Sequence, residues 1–148
     1  MQTLDKSKEL TSSVRLINDK LNFTCHVEGN PPVSVDYLPP LGDNLGYTSL
    51  ELLLISLSTC LGSALLVFLR KMQKTISTFE ISSRGIRNED HPTCFREIHL
   101  EIHLTSPDVN EEELKKLVAL SEEKYCPVWA MIRGNVTVNV SYRIERTA

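Results

Sequence analysis

The sequence lacks the features that mark nucleic-acid-binding and secreted proteins. Its 16 lysines and arginines against 19 aspartates and glutamates give a net charge of −3, so the chain lacks the excess of positive charge that nucleic-acid-binding proteins have. The stretch Met1–Glu9 is polar and no apolar run follows it, so we expect no secretory signal peptide. The four cysteines are not closely spaced. Together with the missing signal, this predicts a cytoplasmic protein with free or redox-active thiols.

Motifs for two common kinds of active site are also missing. No Gly-x-Ser-x-Gly sequence occurs, so nothing supports Ser-His-Asp catalysis. His99 and His103 are four residues apart, but the alternation around them predicts a strand, on which they would lie about 13 Å apart. We therefore expect a solvated strand face there rather than a metal site.

The stretch Thr48–Lys74 is the most apolar part of the chain and predicts a long helix with Cys60 in its middle. Thr48 or Ser49 is the expected N-cap. The segment Leu52–Leu69 carries no charge and is long enough to span a membrane. Its centre is rich in small residues, which suit either a membrane bundle or close packing on a sheet. Because the rest of the chain contains alternating strands that need an apolar layer, we favour a buried helix over a membrane span.

The remaining patterns predict an α+β fold, with antiparallel sheets around this central helix and a single domain over residues 1–148. Residues 1–11 or so are expected to form a loose tail. Strands are predicted at Ser13–Ile17, Leu21–Val27, Val33–Tyr37, Thr78–Ser83, Phe95–Thr105 and Val136–Ile144. Further helices are predicted at Glu111–Lys124, capped by Ser106 or Asp108, and at Val128–Ile132.

The cysteines differ in their expected chemistry. Cys60 lies in mid-helix, where an apolar setting would raise its pKa, so it needs a cation or an acid–base partner from another segment to become reactive. Cys126 precedes Pro127, which favours the first position of a helix, so Cys126 is the expected N-cap, where a thiolate is favoured. Cys25 and Cys94 are predicted to be structural.

Two cysteine-containing segments resemble those of one protein family. The run Ser49–Leu54 leading to Cys60 resembles the "PxELLLAALGSC" segment of OsmC/Ohr proteins, and Glu123–Val128 resembles their "KxCPV" box. The loop Val35–Asn44 is similar to the "vDepp.lGG" approach to their central helix. The resemblance runs from about Leu21 to the C-terminus.

This resemblance implies an intertwined α+β homodimer and a peroxidase that reduces organic hydroperoxides. The helix cysteine, Cys60, would become a sulfenic acid, and Cys126 would condense with it to a disulfide. A dithiol reductant such as a lipoylated protein would restore the pair, with no metal or organic cofactor, no nucleic acid and no membrane involved.

The sequence departs from the family pattern at three places, which places it in a divergent OsmC-like branch. Leu50 occupies the position of the catalytic glutamate of the family peroxidases, and Glu51 lies one residue nearer to the cysteine. Ser49 replaces the usual proline. Arg15 is the one arginine in the N-terminal strand region, from which the family's activating arginine comes, but its surroundings do not match a family motif. The expected catalytic residues are thus Cys60, Cys126, Glu51 and Arg15.

Two other functions stay open at the level of the sequence. The departure at Leu50 favours a non-catalytic OsmC-like dimer that binds a small apolar ligand at the subunit interface. The apolar central helix leaves a small membrane or membrane-adaptor protein as a further hypothesis.

Overall fold

The computed structural model describes residues 5–147 and confirms the predicted α+β class. It contains two three-stranded sheets and one long helix. The strands are β1 (Ser13–Leu16), β2 (Phe23–His26), β3 (Val33–Val35), β4 (Thr78–Arg87), β5 (Phe95–Thr105) and β6 (Thr137–Glu145). The helices are α1 (Ser49–Lys71), α2 (Glu111–Leu120) and α3 (Pro127–Ile132), and a π-helical turn, Ser121–Tyr125, joins α2 to α3.

The chain divides into two compact units after Leu52, and a single domain over residues 1–148 stays a prediction. Of the expected tail at residues 1–11, residues 1–4 lie outside the described part of the chain. Residues 5–11 are exposed and form only a turn, in which the Lys8 N–H donates to the Asp5 carbonyl over 3.0 Å.

In the first unit, β1, β2 and β3 form an antiparallel sheet with β2 in the centre. The buried carboxylate of Asp36 then organises the loop after β3. It accepts hydrogen bonds from the backbone N–H groups of Tyr37 (2.7 Å), Asp43 (3.2 Å) and Leu45 (3.0 Å). A Cβ atom at Gly42 would collide with Asp36 Oδ1 and the Tyr37 carbonyl, so this close approach requires glycine.

Thr48 caps α1, as predicted, and Glu51 completes a capping box. The Glu51 N–H donates to Thr48 Oγ1 over 3.3 Å, while Glu51 Oε1 accepts from the Thr48 N–H and hydroxyl over 2.9 and 2.7 Å. This reciprocal pair satisfies two of the backbone groups that a helix start leaves open.

One face of α1 is fully buried, and its members recur every fourth residue. They are Leu57, Leu61, Leu65 and Leu69. Gly62 lets the helix pack closely on β4, because a Cβ atom there would lie 3.2 Å from the Phe79 ring and 3.4 Å from Ile81. By length and composition α1 could also cross a membrane. Of its most apolar stretch of 18 residues, 28% is buried in this structure.

In the second unit, β5 lies between β4 and β6. The predicted alternation of β5 is confirmed, with its apolar side chains at most 1% exposed from Ile98 to Leu104. His99 and His103 lie on the other face. Their Nε2 atoms are 3.0 Å from Glu97 and 3.2 Å from Glu145, respectively, so each imidazole contacts a different carboxylate.

The expectation of purely antiparallel sheets is wrong for β6, which pairs with β5 in parallel. The chain between them contains α2 and α3, and such a helical crossover returns it to the same end of the sheet. The predicted end of β4 at Ser83 is also wrong, since the strand continues to Arg87. Gly85 accommodates the ring of Phe95 on the paired strand, where a Cβ atom would collide with it.

The second helix differs from its prediction at both ends. Its N-cap is Asn110 rather than Ser106 or Asp108. Asn110 Oδ1 accepts from the Glu113 N–H over 2.9 Å, and Glu113 Oε2 accepts from the Asn110 N–H over 3.1 Å. The regular α-helix ends at Leu120, and the chain continues as the π-helical turn instead of reaching Lys124 in α geometry.

Candidate functional site

Cys60 and Cys126 lie side by side within the second unit, although they are far apart in sequence. Cys60 is half-buried in the middle of α1, and Cys126 is the N-cap of α3 with Pro127 at the first helical position, as predicted. Both thiols are free, and the thiol of Cys60 lies close enough to that of Cys126 to raise its pKa. Packing of α1 and α3 therefore assembles a pair of reduced sulfur atoms.

The thiol of Cys126 is held in its neutral form. Burial raises its pKa to about 11, the neighbouring Cys60 thiol acts in the same direction, and the N–H groups of Trp129 and Val128 only partly oppose this. Only 1% of Cys126 is exposed, so the thiolate would lose its water shell. The expectation that the start of α3 favours a Cys126 thiolate is wrong, because desolvation outweighs the short helix.

The predicted residues Glu51 and Arg15 belong to the first unit. The N–H and hydroxyl of Thr48 lower the pKa of Glu51, which keeps this carboxylate ionised at neutral pH. Arg15 is exposed on β1, opposite Thr24 of β2. Their roles in a reaction at Cys60 stay predictions.

The other two cysteines occupy strand and loop positions. Cys25 is half-buried on β2 between Val14 and Val33 of the neighbouring strands. Cys94 is exposed and accepts a hydrogen bond from Asn88 Nδ2 over 3.4 Å. Within residues 5–147, no cluster of three or more His, Cys, Asp or Glu side chains could hold a metal ion.

Two features near the thiol pair were not foreseen. The rings of Phe68 and Tyr125 pack edge to face with their centroids 4.9 Å apart. The π-helical turn directly before Cys126 contains Tyr125. No local pattern signals either feature, because the ring contact joins distant segments and the turn follows a regular helical sequence.

A groove runs along α1 beside β4. It has a volume of about 280 Å³, and its residues come from both elements. They are Ser58, Thr59, Gly62, Ser63, Leu66, Phe79, Glu80 and Ile81. The hydroxyl of Ser58 is buried and has no hydrogen-bond partner among the described residues.

The fold and the thiol pair define an α+β dithiol protein. The family model described as OsmC-like protein matches residues 42–141, which is more than half of the chain. The chain therefore belongs to the OsmC-like family, which confirms the resemblance found in the segments around Cys60 and Cys126. Members of this family are soluble proteins and are typically dimers.

Individual relatives agree with this assignment. Protein YhfA of Escherichia coli K12 is 27% identical over 95 residues, which cover 64% of this chain and 71% of YhfA. A hypothetical protein of Aquifex aeolicus VF5 has a crystal structure with a TM-score of 0.82 and 25% identity, covering 95% and 98% of the two chains. The organic hydroperoxide resistance protein OhrB of Bacillus subtilis shares the fold, with a TM-score of 0.63, 19% identity and coverage of 91% and 98%.

Proposed function

We propose that this protein is a thiol-dependent peroxidase that reduces organic hydroperoxides. The observation that carries the proposal is the pair of neighbouring free thiols, Cys60 and Cys126, in a chain of the OsmC-like family. OhrB of Bacillus subtilis, which shares the fold, is an organic hydroperoxide resistance protein, and this supports the same substrate class.

The proposed reaction oxidises the two thiols by two electrons. The Cys60 thiolate attacks the O–O bond and takes one oxygen as a sulfenic acid, while the alkoxide leaves and is protonated to the alcohol. The sulfur of Cys126 then attacks the sulfur of the sulfenic acid. A disulfide forms, and the hydroxyl oxygen leaves as water once it has taken up a proton. A dithiol such as a lipoylated protein reduces the disulfide by exchange, and no metal or organic cofactor takes part.

Cys126 suits the second step, because burial keeps it protonated and unreactive until a sulfenic acid forms beside it. Glu51 and Arg15 are the charged residues that we assign to the first step, on the strength of the family resemblance. An Arg15→Ala variant should consume hydroperoxide more slowly than wild type, because the resemblance assigns to this arginine the activation of the thiol, and a positive charge favours the ionised form of a thiol.

The proposal is tested by adding one equivalent of an organic hydroperoxide to the reduced protein. We expect loss of two thiols and an intramolecular Cys60–Cys126 disulfide in peptide mass spectra. Cys60→Ser should abolish hydroperoxide consumption, and Cys126→Ser should stop at a sulfenic acid that dimedone captures. Cys94→Ser, which removes an exposed cysteine, is the matched control, and unchanged turnover in Cys60→Ser would refute the mechanism.

A second candidate function is the binding of a small apolar ligand by a non-catalytic dimer. The groove on α1 supports it, together with Ile55 and Val67, which are 45% and 48% exposed on the same helix. Native mass spectrometry of the purified protein distinguishes the two. A retained lipid-like molecule, with no reaction toward hydroperoxide, would favour the binding function.

We also propose that the protein acts as a homodimer in the cytoplasm. Reduced cysteines persist in that compartment, and all four are free in this structure.

A further inference from the structure

The π-helical turn determines the direction in which Cys126 projects. The Cys126 N–H donates to the Ser121 carbonyl over 2.8 Å, which is the wide hydrogen bond of a π-helix. An α-helical continuation of α2 would use one residue fewer in this turn and would rotate the following side chain by about 100°. Cys126 therefore faces Cys60 only while the wide turn persists.

Nothing in the backbone of the turn alone makes this geometry the preferred one. Regular α geometry is the ordinary continuation of a helix, and π-turns are rare and frequent at functional sites. Something outside the turn must therefore stabilise it, and the contact of Tyr125 with α1 is suited to this.

Tyr125 attaches the end of the turn to the helix that contains Cys60. Its ring contacts Phe68 at 4.9 Å with the ring planes at 68°, the edge-to-face arrangement that aromatic pairs prefer. Lys71 Nζ lies 6.0 Å from the Phe68 ring centroid and Lys124 Nζ lies 5.4 Å from that of Tyr125, so each ring also has a cation nearby.

Two consecutive residues thus contact α1 at points eight residues apart, Cys126 at Cys60 and Tyr125 at Phe68. Two contacts fix both the position and the rotation of a segment, whereas a single contact between sulfur atoms leaves rotation free.

We infer that the Phe68–Tyr125 ring pair is a positioning device that holds the π-helical turn, and with it Cys126, in the orientation needed to form a disulfide with Cys60. The chemical use of this disulfide rests on the proposed function, but the positioning itself does not. Tyr125 touches no reacting atom, so it is a positioning residue.

The test measures disulfide formation without any peroxide. The reduced protein is equilibrated with reduced and oxidised glutathione, and the Cys60–Cys126 disulfide is quantified by mass spectrometry after acid quenching. Tyr125→Ala should lower the equilibrium constant for the disulfide by about 2- to 12-fold, the factor that corresponds to the loss of one aromatic pair. Alkylation of Cys126 in the reduced variant should become faster, because the turn spends part of its time away from α1.

Two variants separate positioning from a general loss of stability. Tyr125→Phe keeps the ring pair and should match wild type in both measurements. Met131→Ala removes an exposed apolar side chain of α3 and should also match it. Wild-type values in Tyr125→Ala, or equal losses in Tyr125→Ala and Met131→Ala, would overturn the inference. The wild-type protein could also fail to react with hydroperoxide while its glutathione equilibrium still depends on Tyr125. That result would refute the proposed peroxidase function and support the positioning role.

Discussion

At the scale of single residues, the thiol of Cys126 shows how opposing effects decide a pKa. The N-cap position of Cys126 stabilises a thiolate, whereas burial penalises it. With 1% of the residue exposed, burial dominates and the pKa rises to about 11. Cys126 is therefore a neutral thiol throughout the physiological range.

The reactivity of Cys126 toward alkylation should follow this pKa. In the reduced wild-type protein we expect iodoacetamide to modify Cys126 slowly at pH 7, with a rate that rises about tenfold per pH unit, because the thiolate fraction does so below the pKa. The measurement is peptide mass spectrometry over time, with the exposed Cys94 as the internal reference. Equal rates for the two cysteines at pH 7 would contradict the assignment.

Asp36 is a second residue whose environment decides its behaviour. Burial would raise its pKa, but hydrogen bonds from the N–H groups of Leu45, Tyr37 and Asp43 outweigh this and lower it. A carboxyl whose pKa is lowered in the folded state stabilises the fold above its unfolded pKa. It loses that contribution as the pH falls through the folded value.

Replacing Asp36 should therefore remove a pH-dependent part of the stability. We expect Asp36→Asn to lower Tm at pH 7 by about 3–8 °C. The difference from wild type should shrink as the pH falls below about 4, where the Asp36 carboxyl of the unfolded chain becomes protonated, and it should vanish below the lowered pKa of the folded state. Thermal unfolding by circular dichroism between pH 2 and 7 measures this. Asp19→Asn, an exposed aspartate in the same unit, is the control. A constant difference at all pH values would argue against the assignment.

At the scale of secondary-structure elements, α1 combines two kinds of side chain that serve different purposes. The leucines at every fourth position bury their side chains, while Gly62 lets the helix approach β4. Glycine in a helix interior costs about 1 kcal/mol of stability relative to alanine. Its presence here indicates that close packing on Phe79 and Ile81 stabilises the protein by more than this cost.

A large side chain at Gly62 should force α1 away from the sheet. We expect Gly62→Leu to destabilise the protein by about 1–3 kcal/mol, the usual cost of overpacking, despite the better helix propensity of leucine. Urea denaturation measures the change, and Ser63→Leu, at the neighbouring exposed position, should be close to neutral. Equal stability of Gly62→Leu and wild type would show that the contact is loose.

At the scale of the whole molecule, each unit leaves large apolar side chains in contact with water. In the first unit Val14 and Leu16 of β1 are 61% and 49% exposed, and in the second unit Ile55 and Val67 of α1 are 45% and 48% exposed. Val14 and Leu16 lie on one face of β1, and adjacent apolar exposure of this kind marks interaction surfaces. Members of the family are typically dimers.

We therefore expect the purified protein to be a homodimer without detergent. Multi-angle light scattering after size exclusion should give twice the chain mass of 16.7 kDa. A mass of one chain, or a requirement for detergent, would contradict this prediction and revive the membrane hypothesis for α1. Val67→Glu on α1 should shift the protein toward monomer if this face is part of the interface, since a buried unpaired charge is costly.

The sequence by itself determined the features that depend on neighbouring residues. The alternation of β5, the start of α1 at its Thr48 cap, and the start of α3 at Cys126–Pro127 follow from side-chain periodicity and capping within a few residues. The segments around Cys60 and Cys126 also sufficed to indicate the family.

Only the tertiary structure decided the rest. The parallel pairing of β6, the extension of β4 beside Phe95 and the wide turn before Cys126 depend on partners that are distant in sequence. The pKa of Cys126 reverses the expectation from its helix position, because burial results from the packing of the whole chain while a helix end acts only within one turn.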